Sequence, residues 1–164
     1  MSASTPVPLP LTDGTVTLRA TRDGDGATLI AGRDAAFHRF MGEGTPDPRP
    51  TAVIEVDGEL AGWVDYDDER SWLEPHQCNV GYHVFATHRG LGYATRAVRL
   101  LLELLAAQAR YTEATFVIDA ANGPSLRVAT AVGATERDRP VNTDGRPEVF
   151  LVVPVVDPIA GLDA

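Results

Sequence analysis

The sequence predicts an α+β domain, a mixed and mostly antiparallel central sheet with helices against it. Three observations carry this. Short segments that alternate apolar and polar residues recur along the chain. Two of them are joined by Asp57-Gly58, a two-residue hairpin signal. One long segment, Tyr93 to Ala109, repeats its apolar residues at helical spacing between two strand-like stretches. Hairpins followed by a β-α-β unit give a sheet with both senses of pairing.

Residues 1–11, rich in Pro, Ser and Thr, are expected to form a flexible arm. Thr15 to Ala20 alternates and reads as the first strand. Asp23 or Asp25 then caps a single helix running to about Met41. Gly42 to Pro50 is a loop by its glycines and prolines. Thr51–Asp57 and Glu59–Tyr66 are the second and third strands, and a charged, turn-like stretch from Asp67 to His76 follows. Gln77 to Phe85 is the fourth strand. Its period of two sets Asn79, Gly81 and His83 on one face and Val80, Tyr82 and Val84 on the other. The long helix carries an apolar stripe of Ala94, Ala97, Val98, Leu101, Leu104 and Leu105. Thr115–Asp119 is the fifth strand. Pro124–Val132 is a short helix, with proline in its first turn and Gly133 at its end. Glu148–Val153 is the last strand. Residues 12–157 thus read as one domain, followed by a tail at 158–164.

The chain has 164 residues and a formal charge of −9, from 14 basic and 23 acidic side chains. It contains no lysine, so every basic side chain is arginine. This balance speaks against a nucleic-acid surface. It suits a cationic amine as substrate, and it equally suits plain solubility. No apolar run nears the roughly 20 residues of a membrane helix, and Met1 to Pro10 does not read as a secretory signal. A lone cysteine, Cys78, excludes an internal disulfide or a metal site built from several cysteines. No metal is expected, and the cytosol is the simplest location. Cys78 itself reads as a buried structural thiol.

The segment richest in chemistry is Arg89-Gly-Leu-Gly-Tyr-Ala94, set between a strand and a strong helix. Its glycines allow a tight turn and close approach of a ligand to the backbone. First-turn N–H groups of the following helix lack helical partners, and the helix dipole favours an anion there. The competing reading is a glycine turn that binds nothing. A Walker loop is excluded because no Gly-Lys-Ser/Thr follows. The dinucleotide fingerprint fits poorly, for its third glycine is missing.

At this point the sequence resembles the GNAT family of N-acetyltransferases. That family carries Arg or Gln, two residues, Gly, one residue, then Gly or Ala, and Arg89, Gly92 and Ala94 match in register. Val80-Gly-Tyr82 in the preceding strand matches too, as do Asn122-Gly-Pro-Ser125 and the run from Val128 to Ala134. The closest likeness is to the branch that includes ribosomal-protein N-terminal acetyltransferases. The resemblance implies a sheet whose fourth and fifth strands splay apart to admit acetyl-CoA. It implies that the pyrophosphate sits on the amides of Arg89, Gly90, Leu91, Gly92, Tyr93, Ala94 and Thr95. The pantetheine arm would pair with Val84, Phe85 and Ala86 like an added strand, and Asn122 would bond it from the other side. Asn122 also suits a helix N-cap.

The implied reaction is direct acetyl transfer to an amine, which needs a base for the ammonium and an acid for the thiolate. Two departures bear on this. Ala129 stands where many relatives have a tyrosine acid, which leaves Ser125 as the candidate acid. Asn79 stands where many have a glutamate, which leaves His83 as a candidate base, with Glu55, Asp65 and Glu148 behind it. Asp65 and Asn79 are candidate substrate-binding residues. Partners are therefore acetyl-CoA and an amine, with no nucleic acid and no membrane, and the apolar final strand is a candidate for pairing across a homodimer. Two other functions stay open: a module that binds acetyl-CoA without turnover, and an acyltransferase for a longer acyl-CoA.

Overall fold

The computed structural model describes residues 9–138 and 145–156. They form two compact units. One holds residues 9–66 and 81–100, the other 67–80, 101–138 and 145–156. The strands are β1 (Leu11–Thr12), β2 (Val16–Arg19), β3 (Ala52–Val56), β4 (Glu59–Asp67), β5 (Gln77–Val84), β6 (Glu113–Asp119), β7 (Thr135–Arg137) and β8 (Glu148–Pro154). The helices are α1 (Asp25–Ala31), α2 (Ala35–Met41), α3 (Tyr93–Gln108) and α4 (Gly123–Ala131). Hydrogen-bonded neighbours follow the order β1-β2-β3-β4-β5-β6-β8-β7 in one eight-stranded sheet. The pairs β1–β2, β2–β3, β3–β4, β6–β8 and β7–β8 are antiparallel, whereas β5–β6 is parallel. The mixed, mostly antiparallel sheet is as the sequence predicts.

In the first unit the β3–β4 hairpin turns on Asp57 (φ 51°) and Gly58 (φ 78°). Two successive positive φ values match the right-handed twist of the strands they join. The register then shifts, from Ile54↔Gly62 to Glu55↔Leu60, leaving Ala61 as the extra residue of a bulge. Arg19, buried at the end of β2, is held by Glu55 (Nε to Oε2, 2.6 Å) and Asp25 (Nη1 to Oδ2, 2.8 Å). Its guanidinium would be costly to bury unpaired.

The region between β2 and β3 departs from expectation. A single helix from Asp23 or Asp25 to Met41 is replaced by two helices broken at Gly32-Arg33-Asp34. Neither aspartate caps α1. Its N-cap is Gly24, in the left-handed region, and Asp25 instead binds the Arg22 N–H and Arg19. The cap that matters is Asp34, whose carboxylate accepts the Phe37 N–H at 3.0 Å and restarts the chain as α2.

In the second unit, β6 and β8 pair along their whole lengths, from Glu113↔Pro154 to Asp119↔Glu148. Phe116, Thr115 and Val152 are almost fully buried there. The acidic stretch after β4 is pinned rather than solvated throughout. Asp68 accepts from Arg110 (2.7 Å) and from the Tyr111 hydroxyl (2.6 Å), and Trp72 meets Phe150 edge-on at 5.6 Å. The short strand β7 was not foreseen, because Thr135-Glu-Arg137 is polar and exposed. It pairs with Phe150–Val152 from the side opposite β6. Both edges of β8 are taken there, so that strand is not an open edge for a second copy. The β5–β6 ladder is short, from Gln77↔Glu113 to Asn79↔Thr115, while β5 continues to Val84 and β6 to Asp119. The splay expected between the fourth and fifth predicted strands has its counterpart in that short ladder. Among the described residues no helix is long and apolar enough to cross a membrane.

Candidate functional site

The site grows from the end of β5. After Val84 the chain makes a 3₁₀ turn, Ala86–His88, then the Arg89–Gly92 turn, then α3. Gly90 and Gly92 have φ of 78° and 81°, a region that costs a side chain roughly 1–2 kcal/mol. Among the described residues a Cβ at either would meet nothing within 4 Å, so this conformation leaves the turn open to them. Leu91 between them is 61% exposed. The helical ladder of α3 begins with Arg96 N–H to Gly92 O at 3.2 Å. The N–H groups of Tyr93, Ala94 and Thr95 precede it, at the positive end of the helix dipole.

Arg89 does not aim its charge into this turn. Its Nη1 and Nη2 grip both oxygens of Asp34 (2.7 and 3.2 Å), and its Nε donates to Val84 O at 2.9 Å. Arg96, in the first turn of α3, is likewise held by Asp13 at 2.6 Å. Anion attraction at the turn therefore falls to main-chain amides rather than to these two cations.

Asp34 serves twice, as cap of α2 and as counterion of Arg89. The Arg89 hydrogen bonds hold its carboxyl at about 2, below the ordinary value, with the Phe37 N–H helping and partial burial opposing. The folded-state value lies below the unfolded one, so the stabilisation is fully present above about pH 4 and is lost as pH falls toward about 2. Asp34→Asn keeps a good capping residue and removes only the charge. Thermal melts should show the parent more stable at neutral pH. The gap should narrow steadily as pH is lowered from about 4 to 2, and a gap that stays constant would show that the ion pair does not contribute.

His83 lies on β5, 7% exposed, with its ring 4.9 Å from Phe37, 5.8 Å from Phe85 and 6.3 Å from Trp63. Its Nε2 stands 3.1 Å from Nη2 of Arg89. Burial first, and then the Arg89 cation, push its pKa down to about 4. With Nε2 engaged and so low a basicity, this imidazole is poorly placed to be the base suggested by its position in the sequence.

Other candidates find definite places. Asp65 Oδ1 accepts from both the N–H (2.9 Å) and the hydroxyl (2.7 Å) of Thr51, which ties the loop end at the start of β3 to β4. Glu55 is spent on Arg19. Glu148 opens β8 opposite Asp119. Much of the Val84–Ala86 backbone is already bonded. Phe85 N–H goes to Ala61 O (2.8 Å), Phe85 O accepts from His88 N–H (2.9 Å), and Ala86 O accepts from Arg89 N–H (3.4 Å). An added strand there meets fewer free groups than the resemblance implies.

The second unit holds the remaining candidates. Asn122 is the N-cap of α4, its Oδ1 accepting from Ser125 N–H at 3.3 Å, which leaves its Nδ2 as the group able to face a ligand. Ser125 sits in the first turn of α4, half-buried. Ala129 is fully buried, so packing occupies the family's tyrosine position. Asn79 meets the Thr115 hydroxyl at 3.0 Å where the β5–β6 ladder ends. Cys78 is buried, and desolvation pushes its thiol up to about 12. The residue that sequence reasoning missed is Asp34. The signal was there, a glycine two residues before an aspartate inside a helical pattern, which is a stop followed by a cap.

The fold and the glycine turn define a mixed-sheet protein with an open turn at the start of its longest described helix. Residues 33–135 match the family model described as an acetyltransferase (GNAT) domain. The chain belongs to the GNAT acetyltransferase family, whose acyl donor is acetyl-CoA. No curated protein sequence matches it. Among solved structures it is similar to a GNAT-family acetyltransferase from Bacillus anthracis, with 15% identity, 90% of this chain and 99% of that one covered, and a TM-score of 0.75. It is similar to the aminoglycoside acetyltransferase AAC(6')-Ib in complex with coenzyme A, with 21% identity, 85% and 95% covered, and a TM-score of 0.72. It is also similar to Mycobacterium smegmatis RimJ in complex with CoA-disulfide, with 22% identity, 94% and 90% covered, and a TM-score of 0.69. At these identities the likeness is one of fold.

Proposed function

We propose that the chain transfers acetyl directly from acetyl-CoA to the amine of a small molecule or a peptide N-terminus, in the cytosol. The observation that carries this is the Gly90–Gly92 turn, open at both Cβ positions among the described residues and leading into the first turn of α3. The amides of Gly90 to Thr95 hold the pyrophosphate, the Arg89 N–H being spent on Ala86 O, with the helix dipole adding to their attraction. Arg89 contributes by shape rather than charge, since Asp34 and Val84 O hold its side chain against the end of β5. Asn122 offers its Nδ2 to the pantetheine arm, and Ser125 supplies a proton to the leaving thiolate, directly or through water. The ammonium of the acceptor loses its proton to solvent or to Glu148, while Glu55, Asp65 and His83 are each committed to other groups.

The net charge of −9 favours cationic acceptors. The structural neighbour that acts on aminoglycosides and the resemblance to N-terminal acetyltransferases name the first two acceptor classes to try. The second reading, a module that binds acetyl-CoA without turnover, draws on buried Ala129 and on Asn79 in the family's glutamate position. A screen of thiol release separates the two. Acetyl-CoA and longer acyl-CoAs are offered with aminoglycosides, polyamines and peptides bearing free N-termini. Acetyl-CoA should turn over with at least one amine. Tight binding of acetyl-CoA with no thiol release across the panel would favour the module.

A further inference from the structure

The hydrogen-bonding state of His83 is fixed by its neighbour. Arginine has donors and no acceptor, so the 3.1 Å approach of Arg89 Nη2 makes His83 Nε2 the acceptor. A neutral imidazole then carries its one proton on Nδ1. That Nδ1 is buried and has no hydrogen-bond partner among the described residues. The rings of Phe37, Phe85 and Trp63 around it offer no oxygen or nitrogen lone pair. Buried donors in native proteins are almost always paired, and an exception calls for an explanation, among them an ordered water or a role toward a ligand.

We propose that His83 is a fixed hydrogen-bond donor, its Nδ1–H meeting an oxygen of a bound substrate, with Arg89 and Asp34 as positioning residues that set its tautomer. The inference rests on the acetyl-transfer reading above. The guanidinium cannot turn, since Asp34 holds it by two oxygens and Val84 O holds Nε. Asp34 also caps α2, and α2 carries the Phe37 ring that packs on His83. One carboxylate thus fixes both the proton on the imidazole and the aromatic wall beside it. The oxygen comes from the acyl donor, foremost its thioester carbonyl, or from the acceptor.

Two side chains separate the nitrogens of His83. In His83→Asn the amide reaches the place of Nδ1 and keeps a donor there. In His83→Gln it reaches the place of Nε2, keeping an acceptor for Arg89 and losing the donor. His83→Gln should lower kcat by about tenfold, with little change in KM for acetyl-CoA, and His83→Asn should keep most of the rate. Equal losses, or the reverse order, overturn the proposal. Nitrogen-15 NMR of the histidine-labelled parent needs no variant to fold. The ligand-free chain should show the Nδ1–H tautomer at His83, and the Nε2–H form would overturn it. Acetyl-CoA, CoA and kanamycin are then added in turn. A shift of the Nδ1 proton with acetyl-CoA and not CoA assigns the oxygen to the thioester. A shift with both assigns it to the carrier, and a shift with kanamycin assigns it to the acceptor. No shift with any of them overturns the proposal. Calorimetry keeps the two levels apart: no binding of acetyl-CoA fells the acetyl-transfer reading itself, whereas binding with turnover and a silent His83 fells this inference alone.

Discussion

A Gly92→Asp chain is expected to bind acetyl-CoA at least about 100-fold more weakly than the parent, while melting within a few degrees of it. Gly92 is the residue whose carbonyl opens the α3 ladder, and its φ is 81°. There is room for a side chain, since none of the described residues comes within 4 Å of the Cβ position. Aspartate tolerates a left-handed backbone better than most residues. It is also a good helix cap, so its carboxylate would take the first-turn N–H groups for itself. That gain offsets much of the backbone strain. The same capture removes the donors from the pyrophosphate and sets a negative charge in its place. Each hydrogen bond to a charged group is worth roughly 1.5–3 kcal/mol, so losing two is enough for the stated effect. Calorimetry against acetyl-CoA, beside a thermal melt, checks both halves. Undiminished affinity in a folded Gly92→Asp chain would mean that the ligand does not rest on these amides.

The largest effect on stability is expected at Gly62. A Cβ there would stand 2.0 Å from His83 O and 2.9 Å from Val84 Cα. These are backbone atoms of β5, so no side-chain rotation relieves the clash. β4 would have to draw away from β5 next to the 2.8 Å bond from Phe85 N–H to Ala61 O. Overpacking against backbone belongs at the upper end of such penalties, about 3 kcal/mol. For a chain of this size that lowers Tm by roughly 6–12 °C. A melt of Gly62→Ala within a degree or two of the parent would show that the two strands are not held this closely. Activity should fall with stability, since His83 lies on the displaced strand and the Arg89–Gly92 turn follows shortly after its end at Val84.

Most of the fold was legible because its signals are local. The Asp57-Gly58 turn, the stripe of α3 and the apolar runs of β6 and β8 each declare themselves within a few residues. Two failures have physical causes. One turn of irregular chain at Gly32-Arg33-Asp34 left the helical period intact on both sides, so α1 and α2 read as a single helix. β7 is polar and exposed because only its hydrogen bonds, and not its side chains, are buried against β8. The glycine turn itself was legible for a different reason: two glycines just before a strong helical period mark a tight turn at a helix start, and both take positive φ. The partners of its arginine were not legible. Arg89 and Asp34 are far apart in sequence, and nothing local told that this guanidinium grips a helix cap and meets an imidazole. The catalytic groups were the least legible, because an acid or base is defined by what its lone pairs already hold.

The state of Cys78 has a practical consequence. It is the chain's only sulfhydryl, sealed in the interior and kept protonated by its surroundings. A thiol so buried and so weakly acidic is a poor resting place for an acetyl group, which agrees with the direct transfer proposed above. A chromogenic disulfide reagent added to the reaction will report liberated coenzyme alone, and alkylating agents that silence cysteine-dependent enzymes should leave this one at work.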